Sequence, residues 1–176
     1  SYDFYTDFKK KAEKALIKQS QDSETELIIL RPTLVYGKNS PGNIAKLVNL
    51  IDHNFLFPLA MRKNKRSLLY INNLVSAISR SLNHPIKSEK IFIISDKETI
   101  STENLIKTIS RIRYKTVFVF KLPAIVFTLL KKLPFIEKRI SQLTDDLLVD
   151  SSKFSKTMEW VQPYSQIESL KKCFSK

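Results

Sequence analysis

Glycine is almost missing from this chain, at 2 of 176 residues, and both glycines, Gly37 and Gly42, fall in one short loop. That excludes a glycine-rich phosphate cradle, which needs several main-chain amides to approach a pyrophosphate with no Cβ in the way. The single cysteine, Cys173, excludes an intrachain disulfide, points to a reducing compartment and reads as a small apolar residue of the last helix. The two histidines, His53 and His84, have no second ligand near them in sequence, and Asp145, Asp146 and Asp150 have no histidine to complete a set, so no metal is expected. No apolar run approaches the ~20 residues that cross a bilayer. The most apolar stretch, residues 117–130, is interrupted by Lys121 and Pro123.

What the chain has in excess is positive charge, a net +13. Nucleic acid or an anionic surface is the first inference. The basic residues, however, are scattered, with no run longer than Lys9-Lys10-Lys11 and no interleaving of arginine with aromatics. The charge therefore reads as a general lysine bias, and no specific nucleic-acid partner is expected. A content of 43% apolar residues suits one globular unit.

Periodicity gives an alternation of helices and strands, hence α/β. Residues 4–19 read as an amphipathic helix, with Phe8, Ala12, Ala15 and Leu16 inward and lysines outward. Leu27, Ile28, Ile29 and Leu30 form a strand buried on both faces, as in a parallel sheet. A loop over 36–43 leads to a helix over 44–52, and a strand is expected near Phe57. The next strand spans 67–71. A helix capped by Asn72 or Asn73 then runs to Leu82, with Leu74, Ala77, Ile78 and Leu82 inward. Further strands are expected over 90–95, 116–120 and 147–150. Helices are expected from Ser101 or Thr102 to 113, over 123–133, from Ser151 or Ser152 to just before Trp160, and over 165–174. Trp160 reads as a core anchor.

Chemistry is concentrated at Tyr5-Thr6-Asp7-Phe8-Lys9. On a helix, positions four apart share a face. An ammonium beside a phenol favours the phenolate, and a phenol so poised exchanges a proton with an alcohol as hydride leaves the same carbon. Taken alone, the spacing also fits a surface helix with a half-buried tyrosine.

The wider pattern decides between these. Tyr5-xxx-Lys9 is followed by Ala12-Glu13-Lys14-Ala15-Leu16. Leu30-Arg31-Pro32-x-x-Val35-Tyr36-Gly37, Arg66-Ser67-Leu68-Leu69-Tyr70-Ile71-Asn72-Asn73-Leu74 and Val149-Asp150-Ser151-Ser152-Lys153-Phe154 with Trp160 come in the same order. Together they resemble the C-terminal half of the NAD-dependent epimerase/dehydratase family of extended short-chain dehydrogenases/reductases. Two departures stand out: Asn72 replaces a usual Asp, and Met158-Glu159-Trp160 replaces Leu-Gly-Trp.

The resemblance implies the end of a Rossmann-type domain over residues 1–37 and mainly a substrate-binding lobe, with returning sheet strands, over 38–176. The N-terminal dinucleotide-binding half is missing from this pattern. It implies Tyr5 as catalytic acid/base and Lys9 as the residue that activates it and binds the nicotinamide ribose. Pro32 and Leu34 would contact the cofactor. Asn43, Phe57, Pro58, Arg66 and Arg139 would hold a UDP-sugar, the arginines at its diphosphate. NAD(P) is the implied cofactor of the full-length family, and this chain alone is expected neither to bind it nor to be active. The implied activity is 4-epimerisation of a UDP-hexose or UDP-N-acetylhexosamine for surface polysaccharide, in the cytoplasm. A 4-keto-sugar reductase, a dehydratase and a non-catalytic remnant of a split gene stay open. So do two partner arrangements, a separate N-terminal half chain and a homodimer.

Overall fold

The computed structural model describes residues 2–21, 24–60, 64–84, 91–122 and 146–175. In chain order these form α1 (Tyr2–Gln21), β1 (Ile29–Pro32), β2 (Leu34–Tyr36), α2 (Asn43–Asp52), β3 (Leu56–Ala60), β4 (Arg66–Tyr70) and α3 (Ile71–Leu82). Then come β5 (Ile91–Ile94), β6 (Thr99–Ile100), α4 (Thr102–Ile112), β7 (Phe118–Leu122), α5 (Ser152–Thr157) and α6 (Gln166–Phe174). The expected helix over 123–133 lies outside the described residues.

Parallel pairing dominates, as the unbroken apolar strands imply. β1 pairs with β5 in register Ile29 to Ile91, β2 with β4 at Leu34 to Leu68, and β3 with β7 at Leu56 to Phe118. β6 adds to β4 antiparallel, and the segment expected as a strand over 147–150 makes one parallel bridge, Leu147 to Arg66.

Two apolar clusters fill the interior. The first joins α2, α4 and α6 to β2 and β4 through Ile44, Ile51, Leu68, Ile106, Ile109 and Leu170. Cys173 is buried in it, as the apolar reading expected. The second packs Phe154, Met158 and Trp160 against Leu69, Ala77, Phe92 and Ile94. Trp160 is the expected anchor: its ring meets Phe154 edge-on at 5.5 Å and its indole N–H donates to Ser76 Oγ at 3.2 Å. The clusters meet along β4, where Leu68 and Tyr70 face one and Leu69 the other, the two-residue alternation of a strand.

Five expectations are corrected. On α1, Phe8, Ala12, Ala15 and Leu16 are exposed, and the body-facing side is Thr6, Glu13, Ile17 and Ser20, each half-buried. On α3, Ile78 and Leu82 are exposed, and the inward face is Asn73, Ala77 and Ser81. Small side chains at four-residue spacing let that helix lie close to its sheet. Neither Asn72 nor Asn73 caps α3; the cap position is Tyr70, without a side-chain bond. Ser151 makes no cap bond for α5 either, its hydroxyl donating instead to the Ser95 carbonyl oxygen at 3.3 Å. β1 is buried only at Ile29, with Arg31 and Pro32 exposed, because among the described residues it pairs with β5 alone.

Glycine scarcity is visible in the backbone. A Cβ on Gly37 would come within 2.6 Å of Ile71 Cγ2, and Gly42 has φ 95°, so both glycines are used where a side chain is excluded or strained. Helices α2, α4 and α5 therefore end in the left-handed conformation on Asn54 (φ 53°), Tyr114 (φ 54°) and Glu159 (φ 48°). Each end has the paired bonds of a Schellman motif: Phe55 N–H to Leu50 O, Lys115 N–H to Ser110 O, and Trp160 N–H to Ser155 O. Glu159 thus stands in the left-handed backbone that glycine adopts most readily.

Candidate functional site

Tyr5 and Lys9 lie one turn apart on α1. Lys9 is exposed, on the flank between the body-facing side of the helix and its apolar stripe. What fixes α1 to the body is the next turn. Glu13 accepts from Arg31 of β1, with Arg31 Nε 3.2 Å from Glu13 Oε1 and the guanidinium Nη2 on the other oxygen. This fork matches carboxylate geometry. The hydrogen bond from Arg31 holds the Glu13 carboxyl below its ordinary pKa. So two residues of the sequence pattern, Glu13 and Arg31, join the helix of Tyr5 and Lys9 to the strand that carries Pro32.

Beside that joint, Pro32 is exposed at the carboxyl end of β1. Thr33 follows; its N–H donates to Ile94 O at 3.0 Å, and its Oγ1 is buried with no hydrogen-bond partner among the described residues. A buried orphan hydroxyl at the carboxyl end of parallel strands fits a polar ligand there. Leu34, one residue on, turns the other way and packs on the first cluster.

The remaining positions lie on the other part of the molecule. Asn43 opens α2 and is exposed. Phe57 is buried in the first cluster, edge-on to Phe55 at 5.7 Å. Pro58 pairs through its backbone position with Phe120. Arg66 is half-buried at the start of β4, opposite Ile100. Arg139 lies outside the described residues. The Glu13–Arg31 fork thus ties α1, the helix of Tyr5 and Lys9, to β1, the strand of Pro32, while Leu34 and Phe57 pack in the first cluster with Leu68 of the β4 strand that Arg66 opens. Among the described residues no three His, Cys, Asp or Glu side chains converge as a metal set, and no helix is long and apolar enough to cross a membrane.

Sequence reasoning missed the polar hub between these two parts. Asp96, at the end of β5, is buried. Its Oδ1 accepts from Asn73 Nδ2 at 2.7 Å, and its Oδ2 accepts from Tyr70 N–H at 3.0 Å and from Tyr36 O–H at 3.4 Å. Asn73 also donates to Tyr164 O at 3.0 Å and accepts from Tyr164 N–H at 3.1 Å. Burial pushes the Asp96 carboxyl up to about 6, against the lowering effect of its donors. Burial, with the Asp96 charge beside it, pushes Tyr36 far above the ordinary phenol. Tyr36, Tyr70 and Asn73 all belong to the quoted motifs, so the signal was present. Their partner Asp96 is 23 to 60 residues away in sequence, and no local pattern reveals it.

With this geometry in hand, the chain can be set beside known proteins. Residues 1–119 match the model of the 3-beta hydroxysteroid dehydrogenase/isomerase family. UDP-glucose 4-epimerase of Vibrio cholerae is 33% identical over 164 residues, covering 93% of this chain and 50% of that protein. Among solved structures, UDP-glucose 4-epimerase of Thermotoga maritima with UDP-glucose superposes with a TM-score of 0.66 at 16% identity, over 92% of this chain and 49% of that one. UDP-glucuronic acid 4-epimerase of Bacillus cereus with NAD gives 0.61 at 16% identity, over 84% and 43%. These likenesses show the fold. The chain spans about half the length of the Vibrio cholerae relative.

Proposed function

Because this chain belongs to the 3-beta hydroxysteroid dehydrogenase/isomerase family, within the NAD-dependent epimerase/dehydratase group, we propose that it is the C-terminal half of a nucleotide-sugar 4-epimerase. Its substrate is a UDP-hexose or UDP-N-acetylhexosamine destined for surface polysaccharide. The observation that carries this is the 33% identity to a UDP-glucose 4-epimerase across 93% of the chain, in a chain whose first helix carries a tyrosine and a lysine one turn apart.

In this reading residues 1–37 close the dinucleotide-binding domain and 38–176 form mainly the substrate lobe. NAD supplies the hydride acceptor. Tyr5 takes the proton from the sugar 4-hydroxyl and returns it, and the Lys9 ammonium holds the phenol toward phenolate and binds the ribose. Pro32 and Leu34 border the nicotinamide, and the orphan Thr33 hydroxyl beside them is available to a polar group. Arg66 and Arg139 take the diphosphate, because guanidinium forks match phosphate oxygens. Asn43 reaches the same diphosphate. Phe57, being packed in the core, and Pro58 offer the uracil their main chain.

The half-length match favours a second reading beside the first, a chain that is not catalytic by itself. One experiment addresses both. The chain is joined to the half of the Vibrio cholerae enzyme that it does not match, and conversion of UDP-glucose to UDP-galactose is followed with NAD present. Turnover is expected, with kcat lowered at least ~100-fold by Tyr5→Phe. A joined protein that binds both ligands but turns over at the same rate with and without the Tyr5 hydroxyl removes Tyr5 from the chemistry.

A further inference from the structure

Among the described residues β3 and β7 pair only with each other, and one face of the pair is open. Parallel strands are normally covered on both faces. Register sets the sides: Phe57 lies opposite Val119, and Leu56 opposite Phe118. Phe57 and Val119 turn in to the first cluster, as does Val117. Strand alternation sends Leu56, Phe118 and Phe120 outward, where they are 55%, 66% and 43% exposed.

The charge of the chain is segregated onto the same segments. Between Asp52 and Glu89 there is no carboxylate side chain, and there are six lysines and arginines. Between Glu103 and Glu137 there is again none, with seven lysines and arginines. The first stretch contains β3 and the second β7. Together they hold the whole net charge of +13, and the rest of the chain is balanced. The acids that precede them are answered in place. Asp52 accepts from Arg113 at 2.6 Å, and Glu103 lies 2.6 Å from Lys107 Nζ and 3.8 Å from Lys121 Nζ. A surface that lacks counter-charge attracts anions over a distance without any run of lysines.

An open apolar face in such a surround has few suitable partners. A second copy would bring the same excess of positive charge against it. A nucleic acid answers the charge, but a face that stacks bases sets aromatics beside arginine. Here an aliphatic residue, Leu56, stands opposite Phe118, and β7 runs in sequence into Lys121 and the most apolar stretch of the chain. Leucine and phenylalanine within a lysine-rich surround suit the boundary between anionic headgroups and acyl chains.

We propose that the outer face of the β3–β7 pair, formed by Leu56, Phe118 and Phe120, docks the protein peripherally on an anionic lipid bilayer. The phenyl rings and Leu56 enter the interface, and the carboxylate-free stretches supply the attraction to the headgroups. This docking is independent of the nucleotide-sugar reading and of any turnover.

The test mixes the full chain with vesicles of phosphatidylcholine alone, or of equal parts phosphatidylcholine and phosphatidylglycerol, and reads the bound fraction by flotation. Binding is expected on the anionic vesicles only, and is expected to weaken as salt is raised. Phe118→Asp with Phe120→Asp is expected to weaken it at least ~10-fold and to leave the thermal midpoint unchanged, because both side chains are exposed. Phe118→Trp keeps a ring on the face, and its fluorescence is expected to be quenched by brominated lipid, whereas the buried Trp160 of the unaltered chain is not. Anionic vesicles that bind neither the chain nor Phe118→Trp would overturn the proposal. So would equal binding by the paired Asp variant, which would leave charge alone as the cause. A midpoint lowered by several degrees in that variant would give the face to the chain's own residues. A dimer that the variant dissolves would give it to a second copy. Binding of a single-stranded oligonucleotide in place of lipid, lost in the same variant, would give it to nucleic acid.

Discussion

Helix α1 and helix α4 carry the same kind of pattern and meet opposite fates. In α4, Leu105, Ile106 and Ile109 repeat at helical spacing and are buried, with Thr102 and Ser110 beside them. In α1, Phe4, Phe8 and Leu16 repeat as regularly and are exposed. α4 is capped by Ser101, whose Oγ accepts from Asn104 N–H at 3.1 Å, and is tied to α2 by the Arg113–Asp52 fork with both bonds at 2.6 Å. α1 is tied through Glu13 to Arg31 of β1. An amphipathic pattern states that a helix wants a partner and says nothing of whether the partner is in the same chain. α4 finds its partner in α2 and α6, whereas the apolar side of α1 is exposed among the described residues.

Breaking the packed side should cost far more than breaking the open one. Trp160→Ala removes the ring wedged on Phe154 and strands Ser76, and is expected to lower the unfolding free energy by about 3–5 kcal/mol in a denaturant titration. Phe8→Ala in the same isolated chain is expected to change it by less than about 0.5 kcal/mol. Equal costs would mean that α1 is packed in solution and would erase the contrast.

The hub at Asp96 sharpens the comparison through pH. Its folded-state pKa of about 6 stands above the ordinary 3.8, so its contribution to stability is complete below about pH 4 and is lost as pH rises through 6. Relative to Asp96→Asn, which does not titrate, the wild-type chain is expected to lose about 2–3 kcal/mol of stability between pH 4 and pH 8. Parallel stability–pH curves for the two proteins would show that the carboxyl is not held in the buried state described.

The smallest effect concerns the helix ends. Tyr114 is almost fully exposed yet sits at φ 54°. Tyr114→Gly is expected to stabilise the chain by about 1 kcal/mol, because a side chain in the left-handed region is strained and this one loses little contact. A loss of stability would show contacts of the Tyr114 ring that outweigh the strain.

Much of the fold was legible where the cause is local. Ser101 and Ser165 announce the starts of α4 and α6, the latter with Glu168 completing a capping box. The strands at Phe57, Leu68 and Phe92 follow from apolar runs bounded by polar ones. What the pattern left ambiguous is which side of a helix faces in. For α3 the larger residues Ile78 and Leu82 suggested one face, and the structure uses Asn73, Ala77 and Ser81, because Asn73 is claimed by Asp96 and Tyr164. For the candidate site, Tyr5 and Lys9 were readable from spacing, while the Glu13–Arg31 fork and the Asp96 hub depend on residues brought together over 18 and 23 or more positions.

The central claim is the proposal that this chain is the proton-handling half of an NAD-dependent epimerase and carries only part of the surface that holds the cofactor. Calorimetric titration of NAD tests it most directly. The chain alone is predicted to give no binding heat, and the chain joined to the complementary half to bind one NAD per molecule. Saturable NAD binding by the chain alone, or none by a folded joined protein, would contradict it.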